Sequence, residues 1–279
     1  RQVWDLDDPF WYPATKQAYR TAKILNFDIT VFAPKGRGEA GTLEMVHFLK
    51  KVLEERYDGI CISPIADLRV EKLLQKMAEK GVEVIFILSA FDSVPYRTLI
   101  GTDSYQCGRS TGEAVREALG ADGAVGIIKW KDNLIETVED RYHGVVDVLK
   151  ENRIPYYDMT GPGEPTAEEA TKLTDRLLTE HPDISVLCAT NVGWGLAFAR
   201  YLKSKGKKVK LVTVDFTDEV GEFMKAGYVD AAIAQRPESW GSMTLEKIEA
   251  VFEGQSIPKT IDTGTYPVTP ANIRIYVKD

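Results

Sequence analysis

Two polar side chains, Asp215 and Gln235, each follow a short apolar run and are separated by one helical segment. The runs are Leu211–Val214 and Ala231–Ala234, and Gly227 ends the segment between them. Two buried strands joined by a helix form a right-handed crossover, so these strands are predicted to be parallel neighbours. Ligands of open parallel sheets lie beyond the carboxyl ends of the strands. A carboxylate and an amide there, with no His, Cys or Ser in residues 211–237, predict a site for a hydroxyl-rich ligand rather than for catalysis.

The composition argues against two classes of partner. The chain has 279 residues, 44% of them hydrophobic, which is enough for two domains, and its net charge is −7. Nucleic acid requires a basic face, and the basic run 203–210 (KSKGKKVK) is interpreted as a solvated helix end. No stretch approaches the roughly 18 apolar residues of a membrane span. We therefore expect neither a nucleic-acid partner nor a membrane-spanning chain.

The sequence gives no indication of a metal or cofactor site. The histidines and cysteines lack zinc or disulfide spacing, and they are His47, His143, His181, Cys61, Cys107 and Cys188. Neither half of the chain carries a G-x-G-x-x-G or phosphate-loop motif after a strand. We therefore predict no metal, no cofactor and no catalytic residue, and we interpret the cysteines as buried free thiols.

The elements that must position the polar residues alternate between strands and helices. After an apolar run at 3–6, strands are predicted at 29–32, 59–63, 84–88, 98–101, 124–129, 154–158, 184–189, 211–214, 231–234 and 273–277. Helices are predicted at 13–25, from Thr42 onward, and at 70–80, 105–119, 135–151, 166–180 and 193–204. This alternation predicts an α/β protein with parallel sheets.

Seven segments resemble one family in order and spacing. They are DxDDPFW at 5–11, IGTDS at 100–104, RYHG at 141–144, LLTEHPDI at 177–184, Asn191 at a strand end, VDFTDE at 214–219 and IAQRPESWG at 233–241. Together they resemble the sugar-binding periplasmic binding proteins of the ribose-binding type, the type I solute receptors of ABC importers. The resemblance covers nearly the whole chain.

The resemblance implies two Rossmann-like lobes with parallel sheets, joined by a three-strand hinge. The lobes would be 1–103 with 237–264, and 104–235 with 265–279. The chain would cross between them near 102–104, 235–236 and 263–266. It further implies a periplasmic or extracellular location, with a lipid anchor on the full-length precursor as an alternative to a free protein.

The resemblance also implies a ligand-binding set. Phe10 and Trp11 would stack on a sugar ring, whose C–H groups suit flat apolar partners. Hydrogen bonds would come from the remaining members, which are Asp8, Ser89, Arg141, Asn191, Asp215 and Gln235. Bonds to charged partners contribute about 1.5–3 kcal/mol each, so three or four with stacking reach about −8 kcal/mol, a micromolar dissociation constant.

The chain departs from the family pattern at several positions. Leu88 stands where the ribose binders have a carboxylate, Val192 stands where an acid follows the strand-end Asn, and Pro165 lies near the place of a family aromatic. Three tryptophans are candidates for compensation: Trp4, Trp130 and Trp194. These departures leave the identity of the sugar open.

Each assignment has a structural alternative. Phe10 and Trp11 suit a hydrophobic staple on the first helix, and Asp215 and Asn191 suit helix N-caps. Thr217 or Asp218 would cap the helix after Asp215 as well. Arg141 suits an ion pair with Glu139 or another nearby acid on its own helix, Gln235 suits backbone bonding at a hinge, and the three tryptophans suit ordinary packing. Asp103 is interpreted as structural.

Three functions other than import fit the same fold. A sugar-sensing ectodomain would regulate a membrane histidine kinase or chemoreceptor instead of supplying an ABC permease. The effector core of a lactose-repressor-type regulator would normally follow a basic helix-turn-helix, which this sequence does not contain. An enzyme would need a nucleophile–base pair, a metal cluster or a cofactor loop. A monosaccharide receptor for an ABC importer is the favoured function.

Overall fold

The structure, a computed structural model, describes residues 10–35, 38–120, 122–130, 136–162, 165–206 and 208–276. The chain divides into two compact units, each built around its own sheet. Unit 1 comprises Arg1–Thr102 and Arg236–Gly264, and unit 2 comprises Asp103–Gln235 and Thr265–Asp279. The three divisions lie beside the crossings expected near 102–104, 235–236 and 263–266.

Unit 1 contains a parallel sheet with helices on both of its faces. The strands are β1 (Gly59–Ile62), β2 (Glu83–Ile87), β3 (Thr98–Gly101) and β9 (Thr260–Asp262), in the order β1-β2-β3-β9. The helices are α1 (Tyr12–Leu25), α2 (Glu39–Glu54), α3 (Leu68–Glu79) and α9 (Pro237–Phe252). Helices α2 and α3 bury Leu49 and Leu74 on Phe86, while α9 buries Trp240 and Ile248 on the other face.

Unit 2 contains the larger sheet. Its strands are β4 (Ala124–Trp130), β5 (Tyr156–Gly161), β6 (Ile184–Ala189), β7 (Lys210–Val214), β8 (Ala231–Ala234) and β10 (Tyr266–Val268), in the order β10-β8-β7-β6-β4-β5. All neighbours are parallel except β10, which pairs antiparallel with β8 and has Pro267 at its centre. The inner strands are apolar on both sides because helices cover both faces.

Five helices flank this sheet, and side chains fix where several of them begin. They are α4 (Ser104–Leu119), α5 (Glu136–Glu151), α6 (Ala167–Glu180), α7 (Val192–Lys205) and α8 (Asp218–Lys225). Thr166 and Glu169 form a capping box on α6, and Asp103, Asn191 and Thr217 cap α4, α7 and α8. Of the candidates for the cap of α8, Thr217 fills that position and Asp215 does not.

Two predicted strands do not form in the described residues. No strand is assigned over residues 27–35, where one was expected at 29–32, because no described strand forms a ladder with them. Residues Ile273–Ile275 form one 3₁₀ turn, since Thr269 and Asn272 exchange hydrogen bonds that close the chain on itself. Ile273 is buried and Ile275 is exposed; Val277 lies outside the described residues. The strand expected at 154–158 lies at Tyr156–Gly161, because Ile154 donates its N–H to Leu149 at the end of α5.

Candidate functional site

The carboxyl ends of β7 and β8 bring Asp215 and Gln235 together. The strands pair with Val214 opposite Ile233, so the next residue of each strand reaches the same edge. Gln235 Nε2 donates to Asp215 Oδ1 at 2.6 Å. Within the described residues, Gln235 Oε1 is buried and has no hydrogen-bond donor. The amide therefore orients the carboxylate while its own carbonyl stays available.

Arg141 reaches this edge from α5. Its Nη1 donates to the carbonyl of Thr190, just beyond β6, at 3.4 Å, and its Nε has no acceptor in the described ranges. The expected alternative, an ion pair with Glu139, does not form, because Glu139 lies 3.0 Å from Lys129 Nζ and 3.2 Å from His143 Nε2. Leaving the donors of a buried guanidinium unpaired costs free energy, so such a group favours the binding of a strong acceptor.

Asn191 caps a helix, which is one of its two expected roles. Its Oδ1 accepts from the N–H of Trp194 at 3.0 Å and so caps α7. Its Nδ2 is buried, and no part of the chain that the structure describes accepts from it. The cap fixes the side chain, and the amide donor is left for another partner.

These four side chains form one set, which we call the polar edge of unit 2. They are all nearly buried: Arg141 is 5%, Asn191 9%, Asp215 7% and Gln235 3% exposed. Among the described residues, two donors and one acceptor of this set have no hydrogen-bond partner: Arg141 Nε, Asn191 Nδ2 and Gln235 Oε1. Each unmet buried group costs about 1–3 kcal/mol, so the polar edge suits a molecule that both donates and accepts, as hydroxyl groups do.

Phe10 and Trp11 belong to an aromatic cluster in unit 1. Their ring centroids lie 5.3 Å apart, and they lie 5.7 and 5.5 Å from the centroid of buried Trp240. Trp240 Nε1 donates to Thr263 Oγ1 at 2.9 Å, which fixes the ring. A staple on α1 would need an apolar residue at Thr15, so the staple alternative fails. Trp240 lies in the quoted IAQRPESWG segment, but the sequence pattern alone assigns it no role.

Leu88 and Ser89 follow β2 in the same unit and are both half-buried. Leu88 has a positive φ of 66° and packs against the cluster that contains Trp240. The N–H of Ser89 donates to the carbonyl of Ile87 at 2.8 Å, which turns the chain away from the sheet. Ser89 therefore lies at a strand end, as expected.

The three tryptophans that were candidates for compensation differ in their surroundings. Trp194 is fully buried against Phe198, and its Nε1 donates to the carbonyl of Pro162 at 2.9 Å, so the structure favours ordinary packing. Trp130 ends β4 and is half-buried, and its Nε1 has no acceptor in the described portion. Asp8 and Trp4 lie outside the described residues.

The described residues hold no group of three or more His, Cys, Asp or Glu side chains arranged to bind a metal. Burial raises the pKa of the Cys61 and Cys188 thiols to about 12, so neither forms a reactive thiolate near neutral pH.

Among the described helices, none has the length and apolar character of a membrane span.

Comparison with known proteins identifies the family. The profile of the periplasmic binding protein domain matches residues 3–256. The ribose import binding protein of Bacillus subtilis is 21% identical over 93% of this chain and 83% of its own length. That of Haemophilus influenzae is 25% identical over 93% and 87%.

The fold agrees with that family. A solute-binding protein of an ABC transporter from Burkholderia graminis, solved with D-arabinose, superposes with a TM-score of 0.85 at 23% identity, covering 98% of this chain and 95% of its own. The predicted α/β fold and the predicted family are both confirmed. The chain belongs to the periplasmic binding protein domain family, whose members are solute-binding proteins of the type I fold rather than enzymes.

Proposed function

We propose that this chain captures a monosaccharide outside the cytoplasmic membrane and presents it to an ABC importer. The observation that carries the proposal is the polar edge of unit 2, where the guanidinium of Arg141 and the amides of Asn191 and Gln235 each keep one buried polar atom without a partner among the described residues. The relatives support it, since the curated ones are named ribose import binding proteins and a structural neighbour holds D-arabinose.

The proposed ligand contacts are of two chemical kinds. Arg141, Asn191, Asp215 and Gln235 would exchange hydrogen bonds with its hydroxyl and ring oxygens. Phe10 and Trp11 of unit 1 would cover its C–H surface, which needs contact area without competing hydrogen bonds. Asp8 and Ser89 stay in the proposal as further hydroxyl partners, and Trp130 stays as a secondary one. Trp194 is left out because packing already accounts for it.

Calorimetric titration of the purified chain with common aldopentoses and aldohexoses tests this function. We expect one-site binding of at least one sugar near micromolar Kd, because three or four charged hydrogen bonds with stacking reach about −8 kcal/mol. The variant Asp215→Asn keeps the shape of the side chain and removes its charge, so it should bind the same sugar more weakly. Absence of heat with every sugar would count against the proposal.

The proposed partner is a permease and ATPase pair rather than a membrane sensor, because the curated relatives are named import binding proteins. Co-purification with a permease encoded beside this gene would support the importer. Co-purification with a histidine kinase or chemoreceptor instead would support the sensor. A lipid anchor on the precursor stays a prediction.

A further inference from the structure

Leu88 and Asp215 occupy equivalent backbone positions in the two units. Each directly follows an inner strand of its sheet, β2 or β7, and each has a left-handed φ, 66° for Leu88 and 69° for Asp215. The N–H of Leu88 donates to Ile100 of β3 at 3.0 Å, and that of Asp215 donates to Ile233 of β8 at 2.9 Å. Ile100 and Ile233 are both the third residue of their strands. The same backbone turn therefore ends both strands.

The left-handed conformation is far more unusual for leucine than for aspartate. Asp and Asn visit this region several times more often than other non-glycine residues, whereas for a bulky side chain it is an outlier. Such outliers persist where the surroundings enforce them, and they concentrate at ligand-binding positions. Gly101 leaves room for this turn, because a β-carbon on Gly101 would lie 3.0 Å from Leu88 Cα.

The two equivalent positions present opposite chemistry. Asp215 presents a carboxylate held by Gln235. Leu88 presents a half-buried hydrocarbon that packs against the same cluster as Phe10 and Trp11. A carboxylate accepts hydrogen bonds from hydroxyl groups, whereas a leucine side chain has favourable contacts only with C–H groups and methyls.

We propose that the ligand is a deoxy sugar, whose carbon nearest Leu88 carries hydrogen or a methyl group in place of a hydroxyl. This inference rests on the proposed function and names the substrate class of that site. A hydroxyl buried against Leu88 would lose hydration without gaining a partner. An apolar pocket discriminates only modestly against an added hydroxyl, so we expect the deoxy sugar to bind about 10- to 100-fold more tightly than its parent.

Calorimetry with matched pairs tests the inference. The pairs are L-fucose with L-galactose, D-fucose with D-galactose, L-rhamnose with L-mannose, and 2-deoxy-D-ribose with D-ribose. Tighter binding of the deoxy member of at least one pair supports it. If parent sugars bind and no deoxy member binds more tightly, the inference is overturned and the proposed function stands. If no sugar of any kind binds, the proposed function itself falls.

The variant Leu88→Asp makes unit 1 match unit 2 at this position. Aspartate tolerates the left-handed φ better than leucine, so we expect the variant to fold, which its thermal unfolding curve would report. The ratio of deoxy to parent affinity should fall by at least tenfold and favour the parent. Leu88→Ala is the control, because it removes the hydrocarbon without adding an acceptor and should weaken the deoxy sugar with no gain for the parent. An unchanged ratio in Leu88→Asp would refute the inference.

Discussion

Burying the guanidinium of Arg141 removes hydration that a single carbonyl contact at 3.4 Å does not replace. Its forked geometry allows two parallel hydrogen bonds, which a lysine cannot make from one point charge. Arg109 on the neighbouring helix offers a contrast, since it forms a solvent-accessible fork with Glu151 at 2.8 and 2.9 Å. Among the described residues, Arg109 is thus satisfied within its unit, whereas Arg141 keeps an Nε without an acceptor.

Replacing Arg141 by lysine should weaken sugar binding by about 10- to 100-fold, because a charged hydrogen bond contributes about 1.5–3 kcal/mol and tenfold corresponds to 1.4 kcal/mol. Calorimetric titration measures the change. Arg109→Lys, which alters a surface ion pair with Glu151 and a contact with Tyr105, should leave the affinity within about threefold. Equal losses in both variants would mean that Arg141 acts through the fold and not on the ligand.

Replacing Gln235 by glutamate should make stability depend on pH. Two carboxylates would then stand where Gln235 Nε2 now donates to Asp215, and they can coexist there only by sharing a proton. The shared proton is bound at low pH and lost as pH rises, so the melting temperature should fall between about pH 5 and pH 8, by about 2–4 °C for each kcal/mol of repulsion.

Gln255→Glu is the matched control for that titration. Gln255 also donates its amide to a carboxylate, Glu253 at 2.7 Å, but both groups are exposed. Solvent screens the new repulsion there, so the melting curve should change little with pH relative to the parent protein. A pH-independent melting temperature in Gln235→Glu would contradict the prediction.

At the scale of elements, glycines let α4 approach α5 closely. A β-carbon on Gly108 would collide with the backbone of Arg141, and one on Gly144 would collide with the carbonyl of Tyr105. Further along α4, a β-carbon on Gly112 would lie 2.7 Å from Cβ of Val148. The position of Arg141 at the polar edge therefore depends on how closely these two helices pack.

Gly108→Ala and Gly112→Ala should separate stability from binding. Both overpack the helix pair and should lower the free energy of unfolding by about 1–3 kcal/mol, as denaturant titration would show. Only Gly108→Ala displaces the backbone of Arg141, so only this variant should also lose sugar affinity. Equal affinity in the two variants would show that Arg141 is positioned independently of this contact.

The crossover from β7 to β8 was predictable because residues with clear conformational preferences lie at the end of each of its segments. Asp215 and Gln235 end the strands as expected, and Gly227, with a positive φ, follows α8. The predictions of strands at 29–32 and 273–277 were wrong, because an apolar pattern does not show whether a neighbouring strand is available for pairing. Strands β9 and β10, of three residues each, are too short to show a period.

The site was predictable as a set of residue types but not as a set of contacts. Polar residues after apolar runs indicated Asn191, Asp215 and Gln235. The bond from Gln235 to Asp215 and the left-handed φ of Leu88 depend on how neighbouring strands end, which no local pattern records. The place of Trp240 in the aromatic cluster likewise depends on tertiary packing, because α9 brings its ring against Phe10 and Trp11.

At the scale of the whole molecule, each unit is assembled from two separate stretches of chain. The second stretch of unit 1 is Arg236–Gly264 and that of unit 2 is Thr265–Asp279, so the chain passes between the units three times. Gly264, with φ of 67°, stands at one of these passages. We propose that the passages act as a hinge that responds to ligand.

Small-angle scattering tests the hinge. Adding a sugar that binds should reduce the radius of gyration, because binding shifts the population toward the form with the higher ligand affinity, which is the closed form of such a hinge. Thermal unfolding verifies occupancy, since ligand at 100 times its Kd adds about 2.7 kcal/mol of stability. A sugar that gives no calorimetric heat is the control. A saturating ligand that leaves the radius unchanged would argue for a rigid receptor.

The antiparallel strand β10 has a consequence for how the protein behaves at high concentration. It borders the larger sheet, is only three residues long, and carries exposed Pro267, which has no N–H to offer a further strand. A chain from another molecule arriving at that border would find an incomplete row of donors. The last strand of unit 2 thus discourages edge-to-edge aggregation, a useful property for a receptor that must stay dispersed until it meets its transporter.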